Sequence, residues 1–239
     1  MGSAPISRAS VWYTFGMKVL PKSEIQKVKL FENNELLSEI KENEKIQLLK
    51  EHKYLSPYLR TTVGDMLYKA SLNLPEGYKF LIVTAYRPFW MQKELYQRRV
   101  WQMTKRYPFM RIFRPSEFKR TVGLYTAPPG GSSHQDGAAV DLTLINEDGE
   151  RLDMGTTLTD YGERVHTENN LITSEQRKNR VILYDATIKV GFINYPLEWW
   201  HYCYGNRMWA AYTKKDDCFY GRIDDDSSSN IVHSVKSFD

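Results

Sequence analysis

A chain of 239 residues, 41% hydrophobic and 26% charged, carries enough apolar side chain for one substantial core, which excludes an intrinsically disordered polypeptide. Its formal charge of +4 comes from 33 basic and 29 acidic residues spread along the chain, so it lacks the dense basic stripe of a phosphate-backbone binder and nucleic acid is not expected as a partner. No run approaches the ~20 apolar residues that span a bilayer, and Cys203 and Cys218 make neither a disulfide framework nor a zinc knuckle.

Residues 1–50 mix charge with scattered Leu and Ile, and Lys41-Glu-Asn-Glu-Lys-Ile46 is too polar for a core, so a peripheral arm with weak helical or strand pieces is expected. The opening Met1-Gly-Ser-Ala-Pro has no basic segment followed by an apolar stretch and reads as no export signal; cytoplasmic and periplasmic settings both stay open. Residues 51–222 read as one catalytic domain. Within it, Leu59, Val63, Leu67 and Ala70 recur at helical spacing and predict a core-supporting helix that ends near Asn73-Leu-Pro-Glu-Gly77.

Lys79 to Tyr86 is apolar and β-branched between Gly77 and Pro88, the signature of a buried strand, with Arg87 at its exit. Pro88 fits the first turn of an amphipathic helix whose inward register is Trp90, Leu95, Val100 or Trp101, and Met103. Residues 108–131 read as an irregular segment closing in Ala127-Pro-Pro-Gly-Gly131.

Ala138 to Ile145 predicts a second strand, and Asn146-Glu-Asp-Gly149 a hairpin turn. Alternation puts Ala139, Asp141 and Thr143 on one face, toward a cleft that Ala139 leaves roomy, and Val140, Leu142 and Leu144 on a core face. Thr173-Ser-Glu-Gln176 resembles a capping box opening a helix that runs to Gly191, and Trp199 to Tyr204 predicts a last strand after Pro196. Residues 223–239, with Asp224-Asp-Asp-Ser-Ser-Ser, are expected to be a disordered tail. Helices of unequal length between the strands, with hairpin turns late in the chain, predict an α+β fold: an antiparallel central sheet flanked by helices in a single domain.

Two stretches carry chemistry: Gly131-Ser-Ser-His134-Gln-Asp-Gly-Ala-Ala-Val-Asp141 and Pro196-Leu-Glu198-Trp-Trp-His201. A hydrolytic zinc takes three protein ligands and leaves a position for water, whose pKa then falls to about 7. His134, Asp141 and His201 supply an accepted set, and Glu198 can take the water's proton and pass it to a leaving amine. Singly, each has a blander reading: a lone His is more often structural, an Asp in a strand pairs with Arg, and Trp199-Trp200 is more often core than pocket wall. Together, an Asp inside an apolar run beside a Gly-rich His loop asks for a cation. Positions 198 and 201 point to opposite faces of a regular strand, so Glu198 is expected in a loop or bulge that enters it. Arg87, by position alone, is a candidate to polarise the scissile carbonyl.

At these residues the chain resembles the VanX-type D-alanyl-D-alanine dipeptidases, metallopeptidases that share a zinc-site plan with lysostaphin-type enzymes and the hedgehog amino-terminal domain. The matching motifs are Tyr86-Arg87-Pro88, Ser132-x-His134-x-x-Gly137-x-Ala139-x-Asp141-Leu-Thr-Leu, Met154-Gly155, Glu163-Arg164-x-His166 and Glu198-Trp-Trp-His201-Tyr. The resemblance implies a hedgehog/DD-peptidase-like fold, zinc on His134, Asp141 and His201, Glu198 as base, Arg87 as transition-state stabiliser, and a small peptide substrate. It further implies that Ser132 and Tyr125 bind the substrate's C-terminal carboxylate, with Glu163, Arg164 and His166 in supporting roles.

One departure stands out: where the family places an aromatic and then an aspartate for the substrate's amine, this chain has Leu158-Thr159, with Asp160 one position later. A dipeptidase acting through metal-bound hydroxide is the leading expectation from the matching motifs, and the Thr159 departure motivates the alternative. A related carboxypeptidase or amidase on a muropeptide or specialised peptide is the first alternative, and a zinc-bearing binding module without catalysis the second.

Overall fold

A computed structural model describes residues 18–50 and 56–223. The expected tail beyond Ile223 lies outside them. The described residues begin with α1 (Lys22–Lys27), β1 (Lys29–Leu30), β2 (Leu37–Glu39), β3 (Ile46–Leu48) and β4 (Tyr58–Arg60). The middle comprises α2 (Thr61–Ser71), β5 (Lys79–Thr84), α3 (Phe89–Arg106), α4 (Pro108–Phe113), α5 (Pro115–Tyr125) and β6 (Ala139–Ile145). It closes with α6 (Ser174–Ile188), β7 (Ile193–Asn194), β8 (His201–Cys203), α7 (Arg207–Tyr212) and β9 (Asp217–Cys218).

The α+β class holds, with a five-stranded sheet in the order β3-β5-β6-β8-β7. The sheet is mixed rather than antiparallel, because β3 lies parallel to β5 while β5, β6, β8 and β7 alternate in direction. The reason is connectivity: β3 reaches β5 through β4 and α2, and a crossover of that kind returns the chain in its original direction. Of residues 1–50, the described part, 18–50, forms short pieces, as expected, yet these are not all peripheral. Ile40 and Ile46 are buried in the main core, and Ile46 pairs with Phe80 at the sheet's edge.

Val140, Leu142 and Leu144 of β6 face that core, where they meet Phe80 and Ile82 of β5, Val63 and Leu67 of α2, and Leu183 of α6. The helix spacing read from sequence is thus right for Val63, Leu67 and Ala70, while Leu59 belongs to β4, just before α2 begins. At α6 the capping box forms as written: Gln176 N–H donates to Thr173 Oγ1 at 3.2 Å, and Thr173 N–H donates to Gln176 Oε1 at 2.9 Å. The hairpin after β6 also forms, with Gly149 at φ +81° and Ile145 bridged to Arg151.

Three expectations need correction. Residues 108–131 are not irregular throughout, since α4 and α5 each start on a proline at the first turn, Pro108 and Pro115. Helix α3 turns Met103 inward with Val100 beside it, as expected, but also buries Met91 and Gln92 and leaves Trp90 and Trp101 exposed, because its partners are α5 and the 107–110 segment rather than the main sheet. The face of β6 that carries Ala139 leaves no roomy cleft there: Ala139 packs into a second apolar cluster with Val28, Ile193, Cys203 and Trp209. Both cysteines are free and buried.

Candidate metal and catalytic site

Asp141 and His201 meet because they are register partners on the antiparallel strands β6 and β8. Asp141 Oδ1 lies 2.8 Å from His201 Nδ1, and its other oxygen 3.1 Å from His134 Nε2. His134 arrives from a 3-10 turn, Ser133–Asp136, that Ser132 caps and that Gly137 ends at φ +67°. A Cβ at Gly137 would come within 2.5 Å of Leu37, so both the left-handed backbone and the close packing require glycine.

His134 Nδ1 donates to the Ala85 carbonyl at 2.7 Å, which orients the ring and leaves Nε2 as the free donor atom. Ser133 Oγ lies 2.9 Å from His201 Nε2 and can accept the Nε2–H hydrogen bond when Nδ1 serves a metal. Among the described residues, His134, Asp141 and His201 form the one group able to hold a metal ion, with ligand atoms all within 4.8 Å of one another. Two imidazoles and one carboxylate on a buried, preformed framework fit a divalent cation such as zinc.

Charge supports the same arrangement. Burial pushes His134 down to about 4, with Arg87 and His201 adding to the effect against Asp141, so its imidazole is neutral and ready to ligate at neutral pH. Burial alone would raise Asp141, but His134 and His201 outweigh it and hold the carboxyl well below the usual range. For His201, burial acts downward and the Asp141 carboxylate prevails, raising it.

Glu198 precedes β8 in the turn its spacing required. Glu198 N–H donates to the Tyr195 carbonyl at 2.9 Å, and His201 N–H donates to the Glu198 carbonyl at 3.2 Å, so the chain doubles back between Glu198 and His201. Burial raises the Glu198 carboxyl to about 7, His201 and Arg87 acting downward and Asp141 upward. Arg87 follows β5, with its backbone N–H on the His134 carbonyl at 3.1 Å. Its Nη1 donates to Gln92 Oε1 at 2.9 Å, and its Nη2 stands 3.6 Å from Asp141 Oδ2.

The family model described as peptidase M15, D-ala-D-ala dipeptidase, matches residues 60–220. The chain belongs to this family. A D-alanyl-D-alanine dipeptidase of Synechocystis is 26% identical over 220 residues, covering 76% of this chain and 89% of that protein. The Enterococcus faecium D-alanyl-D-alanine dipeptidase is 43% identical over 72 residues, which cover 30% of this chain and 36% of the relative. Among solved structures, the LdcB LD-carboxypeptidase is similar over 77% of this chain and 76% of its own, at 20% identity and a TM-score of 0.44.

Around the site, the other residues that the family resemblance singled out are placed unequally. Ser132 is buried with Oγ accepting from His134 N–H at 3.3 Å, which leaves its hydroxyl proton free to donate. Tyr125 ends α5, and its side chain lies outside what the structure describes. Thr159 and Asp160 sit on an exposed turn closed on itself: Asp160 Oδ2 accepts from Thr157 N–H at 2.7 Å and the hydroxyls of Thr157 and Thr159 lie 3.0 Å apart.

Several supporting residues left no signal in the sequence. Asn194, fully buried, donates from Nδ2 to the carbonyls of Glu198 and His201, both at 3.0 Å, and so pins the 198–201 turn. Buried Arg180 donates to the carbonyls of Met154, Arg164 and His166 and lies over the Trp199 ring, 5.5 Å from its centroid. Glu163, Arg164 and His166 thus belong to the loop that Arg180 clamps behind Trp199. Replacing Asn194 by alanine is expected to lower kcat about 10- to 100-fold with a smaller change in KM, because Glu198 then drifts from its place. Steady-state kinetics beside a folded far-ultraviolet spectrum would check this, and an unchanged kcat would refute it.

Proposed function

We propose that this protein hydrolyses D-alanyl-D-alanine or a closely related dipeptide at a zinc ion held by His134, Asp141 and His201. The observation that carries the reading is the convergence of these three ligand atoms within 4.8 Å beside a carboxyl, Glu198, raised to about 7. Zinc in such a site supplies Lewis acidity that brings a water toward deprotonation near neutral pH.

Glu198 takes that proton, its carboxyl being matched to operating pH, and delivers it to the departing amine nitrogen. Arg87, held by Gln92 and Asp141, faces the charge that develops on the scissile carbonyl oxygen. Ser132, with its free hydroxyl proton, is assigned to the substrate's terminal carboxylate, and Tyr125 to the same carboxylate by family resemblance alone. Removal of the metal by a chelator is expected to abolish turnover, with recovery on adding zinc; activity undiminished in apo protein would sink the zinc reading.

A second reading rests on the surroundings of Asp160 and Glu198. The Asp160 carboxylate is engaged with Thr157 N–H on an exposed turn, while Arg99 lies within electrostatic reach of Glu198 and over the Tyr161 ring, 5.7 Å from its centroid. A guanidinium within electrostatic reach of Glu198 disfavours a free substrate ammonium bound close to it and suits an acylated or anionic amine side, as in a carboxypeptidase substrate. Comparing kcat/KM on D-Ala-D-Ala and on its N-succinyl form decides between them. A preference for the free dipeptide of about tenfold or more supports the dipeptidase, and the reverse preference supports the carboxypeptidase.

A further inference from the structure

The net charge that looks small over the whole chain is concentrated in space. Between Phe89 and Arg120 there are nine basic and two acidic side chains, so the remainder of this +4 chain is net negative. That segment is α3, α4 and α5, which pack on a small core of their own made by Met103, Phe118 and Val122. Outside that core the helices expose a large apolar tip: Phe109 is 74% exposed, Ile112 68%, Phe113 74% and Trp101 59%. Large apolar groups left in water this way mark an interaction surface.

We propose that this α3–α4 tip docks on an anionic phospholipid bilayer. Phe109, Ile112 and Phe113 recur at the spacing of one helical face, the arrangement of a helix lying in the membrane interface with basic residues beside its apolar side chains. Lys105 sits 3.7 Å above the Trp101 ring, and Arg111 is exposed next to Ile112, so cations and apolar groups share one surface. No helix among the described residues is long and apolar enough to cross a membrane, so the contact is peripheral.

Other occupants fit less well. A second copy would bring two strongly basic segments together. For nucleic acid the aromatic rings would have to offer open faces to bases, but Phe109 and Phe113 are stacked on each other with centroids 6.4 Å apart, and Ile112 has no ring to stack. The proposal stands independently of the catalytic assignment, because none of these residues belongs to the metal or base machinery.

The test is sedimentation of the full chain with vesicles of phosphatidylglycerol and phosphatidylcholine, and with phosphatidylcholine alone. Binding is expected to the anionic vesicles only and to weaken as salt shortens the Debye length below about 10 Å. The variant F109S/I112S/F113S is expected to reduce partitioning about tenfold or more, with hydrolysis in solution unchanged. The charge variant R111E/R114E, which alters no buried group, is expected to reduce it as well and keeps the test intact should the first variant misfold. Equal binding to neutral vesicles, no binding to either kind, or undiminished binding by the charge variant would overturn the proposal. So would binding of an oligonucleotide or self-association through this tip without vesicle binding.

Discussion

Glu198→Ala will retain its metal and lose turnover by about 10²- to 10⁴-fold, the range that a positioned proton-transfer group supplies. Metal content should persist because the three candidate ligands lie on β6, β8 and the 133–136 turn, and none depends on the Glu198 side chain for its orientation. With Glu198 as the proposed base, the same residue is expected to set the acidic limb of the pH profile. Its carboxyl must be ionised to accept a proton, so kcat/KM rises with pH through the Glu198 pKa. That limb is expected between the ordinary carboxyl value of 4.5 and about 7, with a bound cation drawing it below the upper figure. Metal analysis and a pH-rate series on wild type and variant would measure both effects. A variant that turns over at the wild-type rate would remove Glu198 from the mechanism.

Asp141→Ala is expected to lose metal, activity and stability together. The side chain stands opposite His201 in the sheet, 3.1 Å from His134 Nε2 and 3.6 Å from Arg87 Nη2, so its loss leaves the Arg87 cation without its paired carboxylate. Removing one member of a buried ion pair costs about 3–5 kcal/mol, which denaturant unfolding of the apo protein can read. Asp141→Asn keeps the shape and separates the effects: metal affinity falls with the charge, while packing survives. In the metal-free protein, Asp141 contributes its full stabilisation above its ordinary value of 3.8, and that contribution is lost as pH falls through its depressed folded value. Stoichiometric zinc in Asp141→Ala at wild-type affinity would show that the ligand set is misassigned.

How much of this was legible before the fold is uneven, for reasons that can be given residue by residue. Strands β5 and β6 and the α6 cap announce themselves because their signals are local: a β-branched run, an alternation, a Thr173–Gln176 pair. On α3 the spacing is right for Met103 and for Val100, which pack on α5 and the 107–110 segment, while Trp90 and Trp101 have no core to enter. The parallel edge strand was likewise hidden, since Ile46 and Leu48 are apolar positions in a charged stretch whose pairing is decided some thirty residues later, at Phe80 and Ile82.

By itself, the sequence determined the chemical inventory: two imidazoles, a strand-borne carboxylate, a second carboxylate three residues before His201, and an arginine at a strand exit. It also determined that Glu198 must leave the strand, because the two-residue pleat forbids positions 198 and 201 from sharing a face. Only the tertiary structure decided how these groups are held. The Ala85 carbonyl selects which His134 nitrogen is free, Ser133 meets His201, Asn194 pins the 198–201 turn, and Arg180 clamps the loop behind Trp199. These supports use carbonyls, a hydroxyl and an amide far apart in the chain, and such contacts leave no periodicity or spacing for a linear reading to detect.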